Sequence, residues 1–404
     1  MKGDLSMARQ KPHTLVATVG TSLMDNLNRL TNEPDAFYRG PGAIGAEKVE
    51  WSVIQRVSDC YRSSQWKALG KALQAIPDTA RLCGAEINSI AALNQKERLD
   101  IRRIVFFVSD TPAGEQAGEI LKAYYEARGK ELGLQKVDYR SIDQLQDERP
   151  LDFRTFGLRN LVREVGKVVR DAGDPSLVAI DATGGYKPQI AVAAVMGIAL
   201  DIDVYYKHER FERAISFPPL PVTLDYELLG RYGRLLSAFE NGGLLTEDEV
   251  DPIDEELRVL LEHEVIDDKQ YWALSPIGEI YLTGFRLRNP KPVELRNASA
   301  EERKPPTFRD DHYPAGFKEF VTKVWRETPW ITRCFTKPYD GQASMKRTGF
   351  DLRDEGGGHY VIIGIYVDRS GFGGRFEVNT TSSRRSDLAW AVDQLNQKFG
   401  GPSI

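Results

Sequence analysis

The sequence has little cysteine and little histidine: three and five residues of 404. Cys60, Cys83 and Cys334 lie far apart, with no CxxC and no paired framework. That excludes a disulfide scaffold, argues against a structural zinc site and fits a reducing compartment. The histidines are scattered and form no HExxH, so metal chemistry is disfavoured and no cofactor is expected. No apolar run approaches the ~20 residues that span a bilayer, and "MKGDLSMARQKPH" lacks the apolar core of a secretory signal. A cytoplasmic location with no membrane partner is the expectation. Neither GxGxxG nor GxxxxGK[ST] occurs, so no motif supports a dinucleotide site or a P-loop. There is no internal repeat and no low-complexity tract.

What is present can bury proper cores: 41% of residues are hydrophobic and 28% charged. The length predicts two or three domains. The net charge of −5 conceals a division. Residues 1–225 hold 30 basic and 30 acidic groups. Residues 226–285 hold 4 basic and 14 acidic, a net −10; residues 286–404 hold 20 and 15, a net +5. Segments of different charge predict different partners.

The first part alternates strand and helix signals. "HTLVATVG", "RRIVFFVSD", "SLVAID" and "DIDVYY" are short apolar runs. Long helical patterns separate them, notably "AGEQAGEILKAYYEARGKEL" and "FRTFGLRNLVREVGKVVRDAG". Continuous apolar strands between helices predict a parallel sheet covered on both faces. In such sheets ligands bind beyond the carboxyl ends of the strands.

Three of these strands run into small polar turns: "VGTSL" at 19–23, "SDTPAG" at 109–114 and "DATGGYKP" at 181–188. Glycines at a strand end let amides approach a phosphate, and the following helix N-terminus favours negative charge. Thr183 offers a hydroxyl, Lys187 a cation, and Pro188 suits a first helical turn. A Gly-Gly pair by itself often does no more than permit a tight turn. Several polar turns on one sheet edge instead predict one composite site.

"VATVGTSL", "FVSDTPAGE" and "DATGGYKPQIA", in this order, resemble the CRISPR-associated Rossmann-fold (CARF) sensor domain over about residues 11–225. The resemblance implies a homodimer binding a cyclic oligoadenylate across its twofold axis, with cyclic tetra-adenylate as allosteric activator. A ring of adenylates has rotational symmetry, so two identical half-sites can share its phosphates. By position, the ligand-binding residues would be Gly20, Thr21 and Ser22; Ser109, Asp110 and Thr111; and Thr183, Gly184, Gly185, Tyr186 and Lys187. Some family members cleave the ring slowly, for which Thr21, Ser22 and Lys187 are the candidates here.

"FPPLPVTLD" at 217–225 reads as a proline-rich boundary. The block 226–285 ends "YWALSPIGEIYLTG", which resembles the strand and closing helix of a winged helix-turn-helix. DNA binding depends on neutralising phosphates, and this block carries −10. It is read as a dimerisation and relay element, with DNA disfavoured as a partner. Residues 286–307 read as a linker, rich in proline and charge.

The last unit, 308–404, shows an amphipathic helix "AGFKEFVTKVWRET", strands "HYVIIGIYVD" and "GRFEVNTTSS" about a glycine turn, and a closing helix "RSDLAWAVDQLNQKFG" with Ser386 as the expected N-cap. "RDEGGGH", Arg353 to His359, formally matches the R-x(4–6)-H of helical ribonucleases, but three glycines oppose a helix there. Glu377 has no lysine two positions on, which weakens a metal-nuclease reading. The order of elements resembles the RelE family of ribosome-dependent mRNA interferases. That resemblance implies an endoribonuclease acting on mRNA at the ribosome, with Lys346, Arg347, Arg353, Arg384 and Arg385 in the family's basic positions. His359 and Tyr360 stand where many relatives have an arginine, and Trp390 near a usual tyrosine. Metal-free RNA cleavage uses the 2′-OH as nucleophile, and it needs a base, cations for the phosphate and an acid. Histidine titrates near neutral pH, which makes His359 the candidate acid or base. Lys346 acts as a base only where neighbouring cations ease its deprotonation. Arg353, Arg384 and Arg385 suit bidentate phosphate contacts. Trp325 and Trp330 fit a core better than an RNA face.

The sequence thus predicts an α/β chain: a Rossmann-like parallel-sheet sensor, a winged helix, and a small α+β RelE-like domain. The expected activity is a cyclic-oligoadenylate-gated, ribosome-dependent mRNA endoribonuclease of CRISPR defence. The alternatives are a ligand-responsive winged-helix transcription regulator and a gated metal-dependent nuclease.

Overall fold

A computed structural model describes residues 11–34, 49–94, 99–208, 211, 213–219, 224, 226–250, 253, 255–309, 312–336 and 346–401. The chain forms two units, Met1–Thr223 and Leu224–Ile404.

The first unit is built on a six-stranded sheet in the order β3-β2-β1-β4-β5-β6. The strands are β1 (Thr14–Thr18), β2 (Arg103–Ser109), β3 (Lys136–Ile142), β4 (Val178–Asp181), β5 (Asp203–Tyr206) and β6 (Ile215–Phe217). All neighbours run parallel except β5 and β6. Every residue of β1 and β4 is buried, the mark of strands covered on both faces. Leu15 and Ala17 join a core with α1 (Ser22–Asn32), α2 (Gly84–Asn94) and α3 (Pro112–Ala127). Val16 points the other way, toward the side on which α4 (Leu158–Ala172) contacts β1, β3 and β4. The apolar runs around 14–18, 103–109, 178–181 and 203–206 are strands, as the pattern predicts. β3 is the strand the pattern conceals. "KVDYRSI" lies at the sheet edge with only Val137 and Ile142 buried, so it has no apolar run to show.

The third turn feeds α5 (Lys187–Leu200), with Pro188 in its first turn. The helix is apolar on nearly all sides and buries Val192, Ala193, Met196, Ala199 and Leu200. It fixes the turn that precedes it.

The second unit holds two antiparallel sheets. One has the order β7-β9-β8, from β7 (Leu245–Thr246), β8 (Leu261–Ile266) and β9 (Lys269–Leu274). The helices α6 (Glu227–Arg231), α7 (Gly233–Ala238) and α8 (Pro276–Arg288) share its core through Leu229, Leu236, Leu274 and Leu282. Ser275 caps α8 by accepting the Gly278 amide at 3.1 Å. The other sheet has the order β10-β13-β12-β11, from β10 (Ile331–Thr336), β11 (Gly349–Asp354), β12 (Tyr360–Val367) and β13 (Gly373–Thr380). Two helices, α9 (Phe317–Glu327) and α10 (Arg385–Phe399), pack on it around Phe317, Val324, Phe350, Phe376 and Leu395. The molecule is mixed α/β with a parallel-sheet core and further α+β units, as predicted.

Two details differ from expectation. Helix α10 starts at Arg385, so Ser386 lies inside it rather than at the cap. Arg384 is the cap residue, without a side-chain capping bond, and the Ser382 hydroxyl steadies the approach by accepting the Arg384 amide and donating to Asp387. Residues 286–307 are also not a free linker. Leu295 is fully buried in the last core, and the amides of Ala298, Lys304 and Thr307 donate to carbonyls at Pro329, Thr332 and Cys334. One apolar anchor among prolines and charges is enough to dock the segment.

Candidate functional site

Because β2, β1 and β4 are adjacent and parallel, the three polar turns leave the same edge of the sheet. The first and third turns touch. A Cβ on Gly20 would sit 2.8 Å from the Gly185 amide nitrogen. Gly184 has no room for a side chain, since one would overlap the Thr18 carbonyl and Glu86. Gly185 has φ +95°, a conformation that favours glycine. Both glycines therefore answer internal packing as well as any ligand. Thr18 Oγ1 donates to the Gly184 carbonyl and stitches the two turns together.

The predicted hydroxyls are mostly engaged within the turns. Ser22 Oγ accepts the Ala85 amide at 3.0 Å. Thr183 Oγ1 donates to Asp181 and accepts the Lys207 amide. Ser109 and Thr111 bond each other at 2.9 Å, and Thr111 caps α3 through the Gly114 amide. Asp110 accepts the Gln144 amide at 3.2 Å. Thr21 is exposed and donates to Asp25 at 2.8 Å. Lys187 is exposed at the start of α5 and makes no ion pair among the described residues. Tyr186 links the third turn to the second, since its hydroxyl meets Asp147 at 3.1 Å and faces Ser109. Burial pushes that phenol up, and the Asp147 charge adds to the push.

Two buried carboxyls underlie the corner. Glu86 of α2 accepts the Gly20 amide at 2.8 Å. Asp181, at the end of β4, takes the Ser89 hydroxyl and the amide and hydroxyl of Thr183. Burial raises Glu86 to about 7, with the Gly20 amide opposing and the Asp181 charge assisting. Burial raises Asp181 to about 6 against the hydroxyls of Ser89 and Thr183 and the charge of Lys207.

In the second unit, a cleft of about 410 Å³ is lined by Glu227 and Arg231 of α6, Asp351, Arg353 and Asp354 of β11, Tyr360 and Ile363 of β12, and Arg385. Of the six predicted catalytic residues, it gathers Arg353 and Arg385. Arg353 is exposed and makes no ion pair among the described residues. Arg385 pairs with Glu227 and lies over the Tyr360 ring, 4.8 Å from its centroid. Lys346 donates to the Val250 carbonyl at 2.9 Å. The Arg347 carbonyl accepts Arg234, whose guanidinium also holds Asp351. Arg384 pairs with Glu294 at 3.5 Å. His359 stands on the β11–β12 hairpin beside Glu355, 69% exposed. Gly356, Gly357 and Gly358 all have positive φ there, so Arg353 and His359 share a hairpin and not a helix. Trp390 and Trp330 line a different cleft, with Glu327 and Phe399. Trp330 is core, and Trp325 lies under Arg303.

Residues 81–220 match a family model described as CRISPR-associated protein (Cas_APE2256). Over that range the chain is similar to CRISPR-associated proteins. The matched segment contains Glu86 and the second and third turns. No curated protein matches the chain.

Sequence reasoning missed Glu86, Asp181 and Asp147 at the corner and Glu227 as a wall of the cleft, whereas Tyr360, named beside His359 in the sequence, does line it. Glu86 carried a signal, as the one charged residue in an otherwise apolar and amide-bearing segment, "GAEINSIAALN". Asp181 carried another, as a charge closing a buried strand.

Proposed function

We propose that the chain is a CRISPR-associated effector in which a cyclic oligoadenylate, binding at the strand-end corner, activates an mRNA endoribonuclease at the second unit's cleft. The observation that carries the reading is the convergence of three polar turns on one sheet edge, two of them inside the segment that resembles CRISPR-associated proteins. Two protomers would place two such corners about a twofold axis, each taking half of a symmetric ring. Lys187, exposed and without an ion pair among the described residues, supplies a cation for the ring phosphates.

Arg353 and Arg385 are the cations for the scissile phosphate, and Tyr360 braces the Arg385 guanidinium. The RNA 2′-OH is the nucleophile, and His359, next in sequence to the cleft-lining Tyr360, is the candidate acid or base. Such a site has sparse acid–base equipment, so positioning of the message on the ribosome must supply much of the rate.

Glu227 provides the gate. It belongs to α6, the first helix after the first unit, and it holds Arg385 as well as Arg231. Movement of α6 relative to α10 frees Arg385 for RNA.

Cleavage of a translated message with ribosomes, with and without cyclic tetra-adenylate, tests the reading. Ring-dependent cleavage that survives EDTA is expected. Equal cleavage of naked RNA, or indifference to the ring, would sink it. Loss in EDTA would favour a metal-dependent tail instead. Arg353→Ala and Arg385→Ala should each lower cleavage at least about tenfold, roughly the value of one charge-assisted contact, while ring binding by calorimetry is unchanged. Glu227→Gln should raise cleavage measured without ring by about two- to fivefold, the weight of one partly exposed ion pair. The ring-saturated rate should hardly move.

A further inference from the structure

Beneath the junction of the first and third turns lies a carboxyl group that ring binding leaves without a task. Glu86 is 1% exposed. Its Oε1 takes the Gly20 amide and lies against Gly184, where any side chain would overlap it. Its Oε2 is buried and has no hydrogen-bond partner among the described residues. The charged group facing it from the neighbouring strand is Asp181, also 1% exposed. Around them, α2 presents Ser89 to Asp181, the third turn presents Thr183 to Asp181, and Lys207 beyond β5 acts on Asp181. Ser22 of α1 is occupied by the Ala85 amide. Asp181 is thus compensated by two hydroxyls, an amide and a cation, and Glu86 by two amides, those of Gly20 and of its own backbone.

Two carboxylates in one dry pocket oppose each other, and the less compensated one gives up its charge first. An anion placed on the turns above would press the same way, because charges a few ångströms apart interact strongly where water is excluded. Neutral Glu86 keeps its place, since its carbonyl oxygen Oε1 still accepts the Gly20 amide while the proton sits on Oε2. The corner therefore retains its shape and loses the charge that opposes a phosphate.

We propose that Glu86 makes anion binding at this corner proton-linked: the site takes its phosphate over the neutral acid, and one proton enters from solvent onto Oε2 as the anion binds. The proposal deepens the ring-binding reading and rests on it for the identity of the anion. Glu86 acts here as a positioning residue. Burial already places its titration at about 7, so the linkage falls within the ordinary cellular range.

Titration calorimetry of the full chain with cyclic tetra-adenylate, in two buffers of unlike ionisation enthalpy, measures the proton directly. The ring's phosphodiesters stay ionised throughout this range. Uptake should be close to zero near about pH 6 and approach one proton near about pH 8, with affinity falling toward about tenfold per pH unit at the upper end. Glu86→Gln should bind with the same affinity at both pH values and take up no proton. Wild-type binding with equal heats in both buffers near about pH 8 would overturn the proposal, whatever the variant does. Sulfate, which does not titrate here, serves as a second probe. Proton-linked binding of sulfate without ring binding would keep the proposal and remove the ring. No binding of either would overturn both.

Discussion

Arg286→Ala is expected to destabilise the second unit by about 3–5 kcal/mol, the range for stripping one partner from a buried ion pair. Arg286 sits in the last turn of α8. Its guanidinium reaches Asp393 of α10 at 2.8 Å and also pairs with Glu240. Asp393 is 3% exposed, and its other described support is the Gln397 amide at 2.7 Å. Burial alone would ease proton loss from Arg286, but Asp393 and Glu240 hold it more firmly charged than usual. Alanine removes the cation and leaves the buried Asp393 carboxyl without its ion-pair partner. Urea unfolding of the full chain, followed by fluorescence of Trp272 and Trp330, should show an earlier midpoint for the second unit. Adding Asp393→Leu to Arg286→Met should recover most of the loss, because an apolar pair of similar size often replaces a buried ion pair without penalty. If the double substitution is as unstable as Arg286→Ala, the defect is one of packing and the charge argument fails. The bridge ties the block around β7–β9 to the helix that carries Arg385. The same variant should therefore also weaken the Glu227–Arg385 ion pair.

The sheet of the first unit was legible because fully buried strands leave continuous apolar runs, as at Val105–Val108. β3 was not legible, since an edge strand is solvated on one side and "KVDYRSI" alternates without an apolar majority. The three turns were legible from glycine and small polar residues at strand ends. What those residues bond to was not. Ser22, Thr111 and Thr183 were read as ligand donors, and they spend hydroxyl bonds on the Ala85 amide, the Gly114 amide and Asp181. A local motif marks where polar groups stand and says nothing of partners brought from elsewhere in the chain. The basic cluster shows the same limit. Arg353 and Arg385 meet in one cleft, whereas Lys346 and Arg384 are drawn to Val250 and Glu294. Composition gives their charge but not the partner, such as Glu227 of α6 for Arg385, that fixes where each one lies. Leu295 was lost in a proline-rich stretch for a related reason: a single anchor has no periodicity to detect.

The first unit should lose stability as pH rises from about 4 to about 7, against the usual direction for carboxylates. Glu86 moves from 4.5 to about 7 on folding and Asp181 from 3.8 to about 6. In each window the native chain holds a proton that the unfolded chain has released. A native state that binds more protons loses stability as pH climbs. The contribution is complete below the unfolded values and gone above the folded ones. Each shift corresponds to about 3 kcal/mol at about 1.4 kcal/mol per pH unit. Surface carboxylates of this unit pull the other way, as with Glu131, which its hydrogen bond to Arg128 holds below the ordinary carboxylate range. The difference between wild type and Glu86→Gln therefore isolates the buried acid better than either curve alone. Glu86→Gln keeps an oxygen for the Gly20 amide and cannot ionise. Urea unfolding of the full chain should show the variant gaining on wild type by about 3 kcal/mol between about pH 4.5 and about pH 7.5. A difference that stays constant with pH would mean that Glu86 is ionised in the folded chain throughout. The amide of Gly20 would then be holding a charge in place, and an incoming phosphate would have to displace it rather than neutralise it.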